Sequence, residues 1–270
     1  MDLKNIKKIQ NNILDRYKKY WRKLPWRQTQ DPYAIHISEV MLQQTQVDRV
    51  IPYFLQWMKD YPGYESLAKT SKSDLLKHWS GLWFNSRALR LQGCALRLVE
   101  GQKSKVKSLD DSRTRENLMK LPGIGPYTSA AIMAFAWNME VPVIDTNIRR
   151  VLIFLFKLDE KITAGELEAF AEKIVPKGKS RDWHNALMDY GAMELTARKT
   201  KIKPLSKQSK FEGSDRQVRG WTMKQLVKYW KLPFEKVEEE FPHKEVKEIL
   251  NGMVKEKLIT VQRWVISISE

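Results

Sequence analysis

Cysteine is almost absent from this chain: Cys94 stands alone among 270 residues. One thiol can form neither an intramolecular disulfide nor a cysteine-only metal site within a single chain. Long apolar runs are missing as well. No stretch approaches the ~20 residues needed to span a bilayer, and the opening MDLKNIKKIQ has no signal-peptide pattern; a cytoplasmic protein with no membrane partner is expected. Period-two alternation is lacking outside the last few residues, which predicts a mainly α protein. Acidic residues are outnumbered, 32 Asp plus Glu against 48 Lys plus Arg, for a formal net charge of +16. That excess points to a polyanionic partner, and a 10% aromatic content allows stacking contacts with it.

What the chain does have is concentrated between Leu121 and Leu152, LPGIGPYTSAAIMAFAWNMEVPVIDTNIRRVL. Gly123 and Gly125 allow left-handed backbone angles and close approach of main-chain N–H groups to an anion. Pro126 suits the first turn of a helix, where its missing N–H would have had no partner. A hairpin of this kind can hold a phosphate at a helix start, although Gly-x-Gly before a helix is by itself only a turn. About twenty residues on, Asp145 precedes the helically spaced Ile148, Val151, Leu152 and Leu155, which puts it at a helix N-terminus where the dipole favours negative charge. A carboxylate there could face positive charge developing on a sugar, and it could equally be a plain N-cap.

Elsewhere, Ile6, Ile9, Ile13 and Tyr17 predict an amphipathic first helix, and 24–33 reads as a proline-bounded loop carrying Trp26 and Arg27. Glu39 falls within the apolar helical run of Ile35, Val40, Met41 and Leu42. An ionised carboxylate is costly there unless paired, and a buried carboxyl with a raised pKa can serve as a general acid. Gln102–Lys107 reads as a basic loop. From Ala197 to Lys210 there is no acid, while Arg198, Lys199, Lys201, Lys203, Lys207 and Lys210 suit phosphate contact or a solvated linker.

These blocks carry a family resemblance. LPGIGPYTSAA followed by VIDTNIRRVL resembles the helix-hairpin-helix, proline and aspartate motif of the endonuclease III superfamily of DNA glycosylases. Leu24-Pro25-Trp26-Arg27, Ile37-Ser38-Glu39-Val40-Met41-Leu42-Gln43-Gln44-Thr45 and Asn185-Ala186-Leu187-Met188-Asp189 are similar to its MutY adenine glycosylase branch. The likeness covers about residues 8 to 200. It implies a two-lobed helix-hairpin-helix glycosylase fold acting as a monomer on double-stranded DNA with a mismatched pair, which would place the protein at the nucleoid. In that scheme Glu39 is the acid that protonates adenine, Asp145 faces the sugar cation, and Tyr127 and Asn147 position both. Trp26, Arg27 and Leu42 would line the base pocket, Gly123 and Gly125 would grip the backbone, and Arg87 would contact DNA. Gly81-Leu82-Trp83-Phe84-Asn85-Ser86-Arg87 is similar to the family's GLGYYSR loop but departs from it at Trp83, Phe84 and Asn85. Gln44 and Phe84 would wedge into the duplex.

The family's four iron–sulfur cysteines, spaced C-x6-C-x2-C-x5-C, fall on Leu195, Ile202, Leu205 and Phe211. No metal site and no cofactor are therefore expected, with apolar contacts holding the loop 195–211 in place of a cluster. The glycosylase core is expected over 1–212. Beyond it, Met223, Leu226, Val227 and Trp230, then Phe234, Val237 and Phe241, then Val246, Ile249, Leu250, Met253 and Val254 suggest three helices. Leu258–Val261 and Trp264–Ile266 suggest two strands, giving a winged-helix-like module over 213–270 that would contact DNA or a protein. The Nudix-like domain that usually ends MutY proteins is not seen. The expected activity is removal of adenine opposite guanine or 8-oxoguanine without strand cleavage, the alternatives being a thymine/uracil mismatch glycosylase of the same superfamily and a catalytically silent DNA-binding adaptor.

Overall fold

The computed structural model describes residues 2–100, 109–204 and 210–269. The helices over these residues are α1 (Leu3–Tyr20), α2 (Pro32–Leu42), α3 (Val47–Asp60), α4 (Tyr64–Lys69), α5 (Lys72–Trp79), α6 (Ser86–Glu100), α7 (Arg115–Met119), α8 (Pro126–Trp137), α9 (Thr146–Phe156), α10 (Ala164–Lys173), α11 (Ser180–Met193), α12 (Ala197–Thr200), α13 (Asp215–Tyr229), α14 (Phe234–Glu240) and α15 (Val246–Lys255). Strands occur at β1 (Lys231–Pro233), β2 (Ile259–Gln262) and β3 (Val265–Ile268). The fold is mainly helical, as the missing alternation implies. The basic stretch at 102–107 and the positions of Leu205 and Lys207 lie outside the described residues. No helix among the described residues is long and apolar enough to cross a membrane.

The chain forms two compact units, Met1–Glu39 with Ser108–Lys207 and Val40–Lys107 with Gln208–Glu270. Each is built from two separate stretches of chain.

In the first unit, one apolar cluster joins Ile13 and Leu14 of α1, Ile148, Val151, Leu152 and Phe156 of α9, Leu167 of α10, and Trp183, Ala186 and Leu187 of α11. The helical spacing of apolar residues in α1 and α9 is what lets each present a stripe to this core. α8 is buried on every side from Thr128 to Ala136, and the alanines at 130, 131, 134 and 136 let neighbours approach closely. α10 begins with a capping box in which Thr163 and Glu166 satisfy each other's backbone N–H groups.

In the second unit, Trp57 and Trp79 meet edge to face at 5.5 Å, among buried Val50, Phe54, Leu67, Leu75, Leu82, Leu91 and Leu98. The same unit contains the C-terminal helices and sheet. Their strands form an antiparallel sheet in the order β1-β3-β2, with Leu232 and Val261 both opposite Ile266; Leu232 and Ile266 are buried and Val261 is exposed. Arg263 and Trp264 turn the β2–β3 hairpin with φ of 48° and 62°, the backbone of a tight hairpin loop. β1 has no counterpart in the sequence pattern, because three residues ending in proline are too few to show an alternation. Trp230, counted with the first helix of the module, instead ends it at φ 67° and is 55% exposed.

Leu152 is fully buried in the first unit's core. Leu152→Ala is expected to lower the unfolding free energy by about 2–5 kcal/mol, read from urea unfolding of the whole chain by circular dichroism.

Candidate active site

Four side chains singled out by the sequence converge in the first unit. The Tyr127 hydroxyl, in the first turn of α8, donates to Glu39 Oε2 at 2.8 Å. Asp145 caps α9: its Oδ1 accepts from the Ile148 N–H at 2.6 Å. Its Oδ2 accepts from Asn147 Nδ2 at 3.0 Å. Asn147 is held in turn, since its Oδ1 accepts from Arg150 Nη2 at 2.8 Å.

Glu39 is 6% exposed. Burial raises its pKa from 4.5 to about 7; the Tyr127 hydrogen bond and the Arg27 charge work against the rise, and the Asp145 charge adds to it. The Tyr127 hydroxyl is pushed well above its ordinary value by burial and by the charges of Glu39 and Asp145, so it stays a donor. One carboxyl that keeps its proton near neutrality therefore lies within electrostatic reach of a second, which suits acid catalysis coupled to stabilisation of a cation.

The hairpin 121–125 is open to solvent at Pro122 and Gly123. Gly123 has φ 81° and needs glycine there, whereas Gly125 has φ −96°, which any residue adopts. What Gly125 supplies is room: a Cβ there would meet nothing within 4 Å, leaving the start of α8 free for close approach of another backbone.

Trp26 is 7% exposed and Arg27 is committed elsewhere. Arg27 Nη1 and Nη2 grip Asp189 Oδ2 and Oδ1 at 2.8 and 3.0 Å, and Arg22 Nε adds a bond to Oδ1 at 2.5 Å. Burial works to raise the Asp189 carboxyl, but the hydrogen bonds and charges of Arg27 and Arg22 outweigh it and hold it below its usual value. Arg27 thus acts on Glu39 as a nearby charge rather than as its ion-pair partner.

The remaining expected residues lie in the second unit. Leu42 is half-buried, and Gln44 is exposed at φ 58°. Phe84 is 37% exposed with φ 48°. Arg87, expected on a DNA surface, is instead 6% exposed. Its guanidinium donates to the carbonyls of Val40, Met41, Leu82 and Trp83, and burial lowers its pKa to about 10. The arginine ties the loop down from inside; its charge does not face solvent.

Two residues that the sequence reading passed over belong to the first unit's site. Arg150, three residues beyond Asn147 on one helix face, also donates through Nε to the Leu195 carbonyl at 2.6 Å; that spacing was a readable signal. His184 Nε2 accepts from the Val143 N–H at 3.1 Å and its Nδ1 bonds the Ser180 carbonyl at 2.8 Å, fixing the segment that leads into Asp145. Nothing in sequence flagged it.

At the positions of the family's cluster ligands, Leu195 and Ile202 are buried at 8% and 7% exposure. Phe211 stands against the Trp83 ring at 4.9 Å in the second unit. Hydrocarbon side chains offer iron no donor, so these residues do not fit a cluster held by thiolates.

The buried carboxyl makes a pH prediction. An unfolded glutamate loses its proton near 4.5 and the folded Glu39 near 7; between those values the folded state binds the extra proton, so this contribution to stability falls as pH rises. Burial lowers His36 and His184 to about 4, so their contribution is instead lost as pH falls from 6.5 towards 4. The histidines are the same in Glu39→Gln and wild type, so their effect cancels in the comparison. The variant is expected to gain about 3 kcal/mol on wild type between pH 4.5 and pH 8, checked by urea unfolding at several pH values; parallel stability curves would contradict it.

Residues 37–177, just over half of the chain, match the family described as HhH-GPD superfamily base excision DNA repair protein. An adenine DNA glycosylase of Rattus norvegicus is 35% identical over 208 residues, which are 72% of this chain and 39% of that protein. One of Mycolicibacterium smegmatis is 33% identical over 77% of this chain and 76% of its own length. Among solved structures, a thermostable thymine-DNA glycosylase superposes with a TM-score of 0.64 at 31% identity, covering 73% of this chain and 90% of that one. The chain spans well under half the length of the rat relative. With a helix hairpin, a capping aspartate and a buried glutamate assembled as described, it belongs to the HhH-GPD superfamily of base excision DNA repair proteins.

Proposed function

We propose that this protein is a monofunctional DNA glycosylase that removes adenine mispaired with guanine or 8-oxoguanine, acting as a monomer at the nucleoid. The observation that carries the reading is the hydrogen bond between Tyr127 and a buried Glu39 whose pKa lies near 7, with the Asp145 charge felt by both. Adenine is a poor leaving group until a ring nitrogen is protonated. Glu39 supplies that proton, and the bond from the sugar C1′ to the base breaks with its electron pair leaving on the base. Asp145 stabilises the resulting oxocarbenium ion while Asn147 holds its carboxylate in place. The Glu39 carboxylate then takes a proton from the attacking water, which closes the proton balance and leaves an abasic site.

The base must leave the stack to reach Glu39, at a cost of a few kcal/mol that is least at a mismatch. Phe84 and Gln44 are assigned to the vacated space as wedges. Gly123, Gly125 and the start of α8 take the backbone phosphate, and the lysines of 197–210 add non-specific phosphate contacts. Loop 195–211 is proposed to fold without an iron–sulfur cluster. Tyr127 cannot form a Schiff base with an abasic sugar, so no lyase step follows.

A second reading, thymine or uracil removal, is favoured by the likeness to the thymine-DNA glycosylase. Single-turnover assays on duplexes carrying A·G, A·8-oxoguanine, T·G and U·G decide between the two, and adenine release alone is expected. Asp145→Asn is expected to slow release about a thousandfold with duplex binding retained; an undiminished rate would remove Asp145 from the mechanism. The wild-type rate is expected to fall as pH rises above about 7, where Glu39 loses its proton. Borohydride should trap no covalent complex with DNA.

A further inference from the structure

The loop that carries Phe84 is held in an unfavourable backbone. Gly81 has φ 104°, and Trp83 and Phe84 follow at 61° and 48°, two consecutive non-glycine residues in the left-handed region. Such strain persists only where the surroundings over-determine it. Part of the restraint comes from below. Leu82 and Trp83 give their carbonyls to Arg87, and the Trp83 carbonyl also accepts from Trp79 Nε1 at 3.0 Å.

Further contacts come from the C-terminal segment of the same unit. The Trp83 indole is met edge-on by Phe211 at 4.9 Å and 72°. The Arg49 guanidinium of α3 lies 5.9 Å from the centre of the indole, and Gly220, within α13, is a further neighbour. Glycine inside a helix is unfavourable relative to alanine, so its presence there calls for a reason. A Cβ on Gly220 would lie 3.3 Å from Trp83 Cζ3 and 3.6 Å from Cε3. A side chain there would press on the indole, which would have to give way by a few tenths of an ångström. α5 and α13 pack together, and Lys77 Nζ sits 4.1 Å above the Trp230 ring, a second tie between the helix before this loop and the end of α13.

We propose that the C-terminal module is a positioning element for loop 81–87: Phe211 and Gly220 seat Trp83, and the seated Trp83 presents Phe84 to the duplex already in its strained conformation. Trp83, Phe211 and Gly220 act through Phe84 and are positioning residues. The proposal rests on the wedge role given to Phe84 above. It assigns the module a part in opening the base stack.

The test uses the full chain and a duplex carrying 2-aminopurine beside the mismatch, whose fluorescence rises on unstacking. Gly220→Val forces a stiff side chain against the indole while improving on glycine's helix propensity; a purely structural role predicts unchanged unstacking and an unchanged or higher Tm. The positioning role predicts unstacking reduced about tenfold, with Tm and affinity for a fully paired duplex at wild-type values, and partial recovery when Trp83→Phe is added. Phe211→Ala, at a residue already 41% exposed, reports the same loss should the valine variant fail to fold. Wild-type unstacking in Gly220→Val and Phe211→Ala beside a deficient Phe84→Ala overturns the positioning proposal alone. Wild-type unstacking in Phe84→Ala overturns the wedge reading itself, whatever the adenine-release assay shows.

Discussion

Glu39 sits where water cannot solvate its anion, and the chemistry assigned to the first unit follows from that. A carboxyl at 6% exposure would ionise at an ordinary pH if a cation were paired with it. The nearest candidate, Arg27, is held bidentately by Asp189, so Glu39 feels its charge at a distance and keeps a pKa near 7. Tyr127 offers a neutral donor in place of a cation. The apolar cluster formed by α1, α9, α10 and α11 supplies the stability that offsets a buried acid, and the N-termini of α8 and α9 deliver Tyr127 and Asp145 to the same neighbourhood.

Arginine has a second use here. The excess of basic residues reads as attraction to a polyanion, and much of it is exposed. Several arginines instead staple backbone carbonyls, Arg87 and Arg150 from buried positions and Arg181 from a half-buried one. Arg87 gathers four backbone carbonyls of the second unit. Arg150 joins Leu195, Gly191 and Asn147, and Arg181 caps the end of α8 at Phe135 and Ala136 with bonds of 2.5 and 2.7 Å. A planar five-donor group suits this, since loop carbonyls left unpaired in the interior are costly. The Arg150 contacts reach into the loop where relatives would have cluster cysteines, and they link it to the residue that holds Asp145.

The helices were legible because their signals are local. Ile6, Ile9, Ile13 and Tyr17 give α1, Asp145 gives the start of α9, and the apolar spacings from Met223 on give the second half of α13 and, within a residue or two, α14 and α15. β1 escaped, having no alternation to read, and Arg87 was misread because a charge looks the same in sequence whether it faces DNA or a row of carbonyls. His184 and Asp189 were not singled out for their own roles, as their partners at Val143 and Arg27 are 41 and 162 residues away.

By itself the sequence determined the mainly helical class, the hairpin with two glycines free to take left-handed angles, the presence of an acid in an apolar run, and the lack of thiols for a cluster. These depend on residue type and on spacings of a few positions, which backbone geometry converts directly into turns, caps and faces. Only the tertiary structure decided that Glu39 meets Tyr127 across 88 residues, that Arg27 answers Asp189 instead of Glu39, and that the C-terminal helix α13 leaves a gap for Trp83. Desolvation and pairing depend on what surrounds a side chain in space, and a linear pattern carries no record of it.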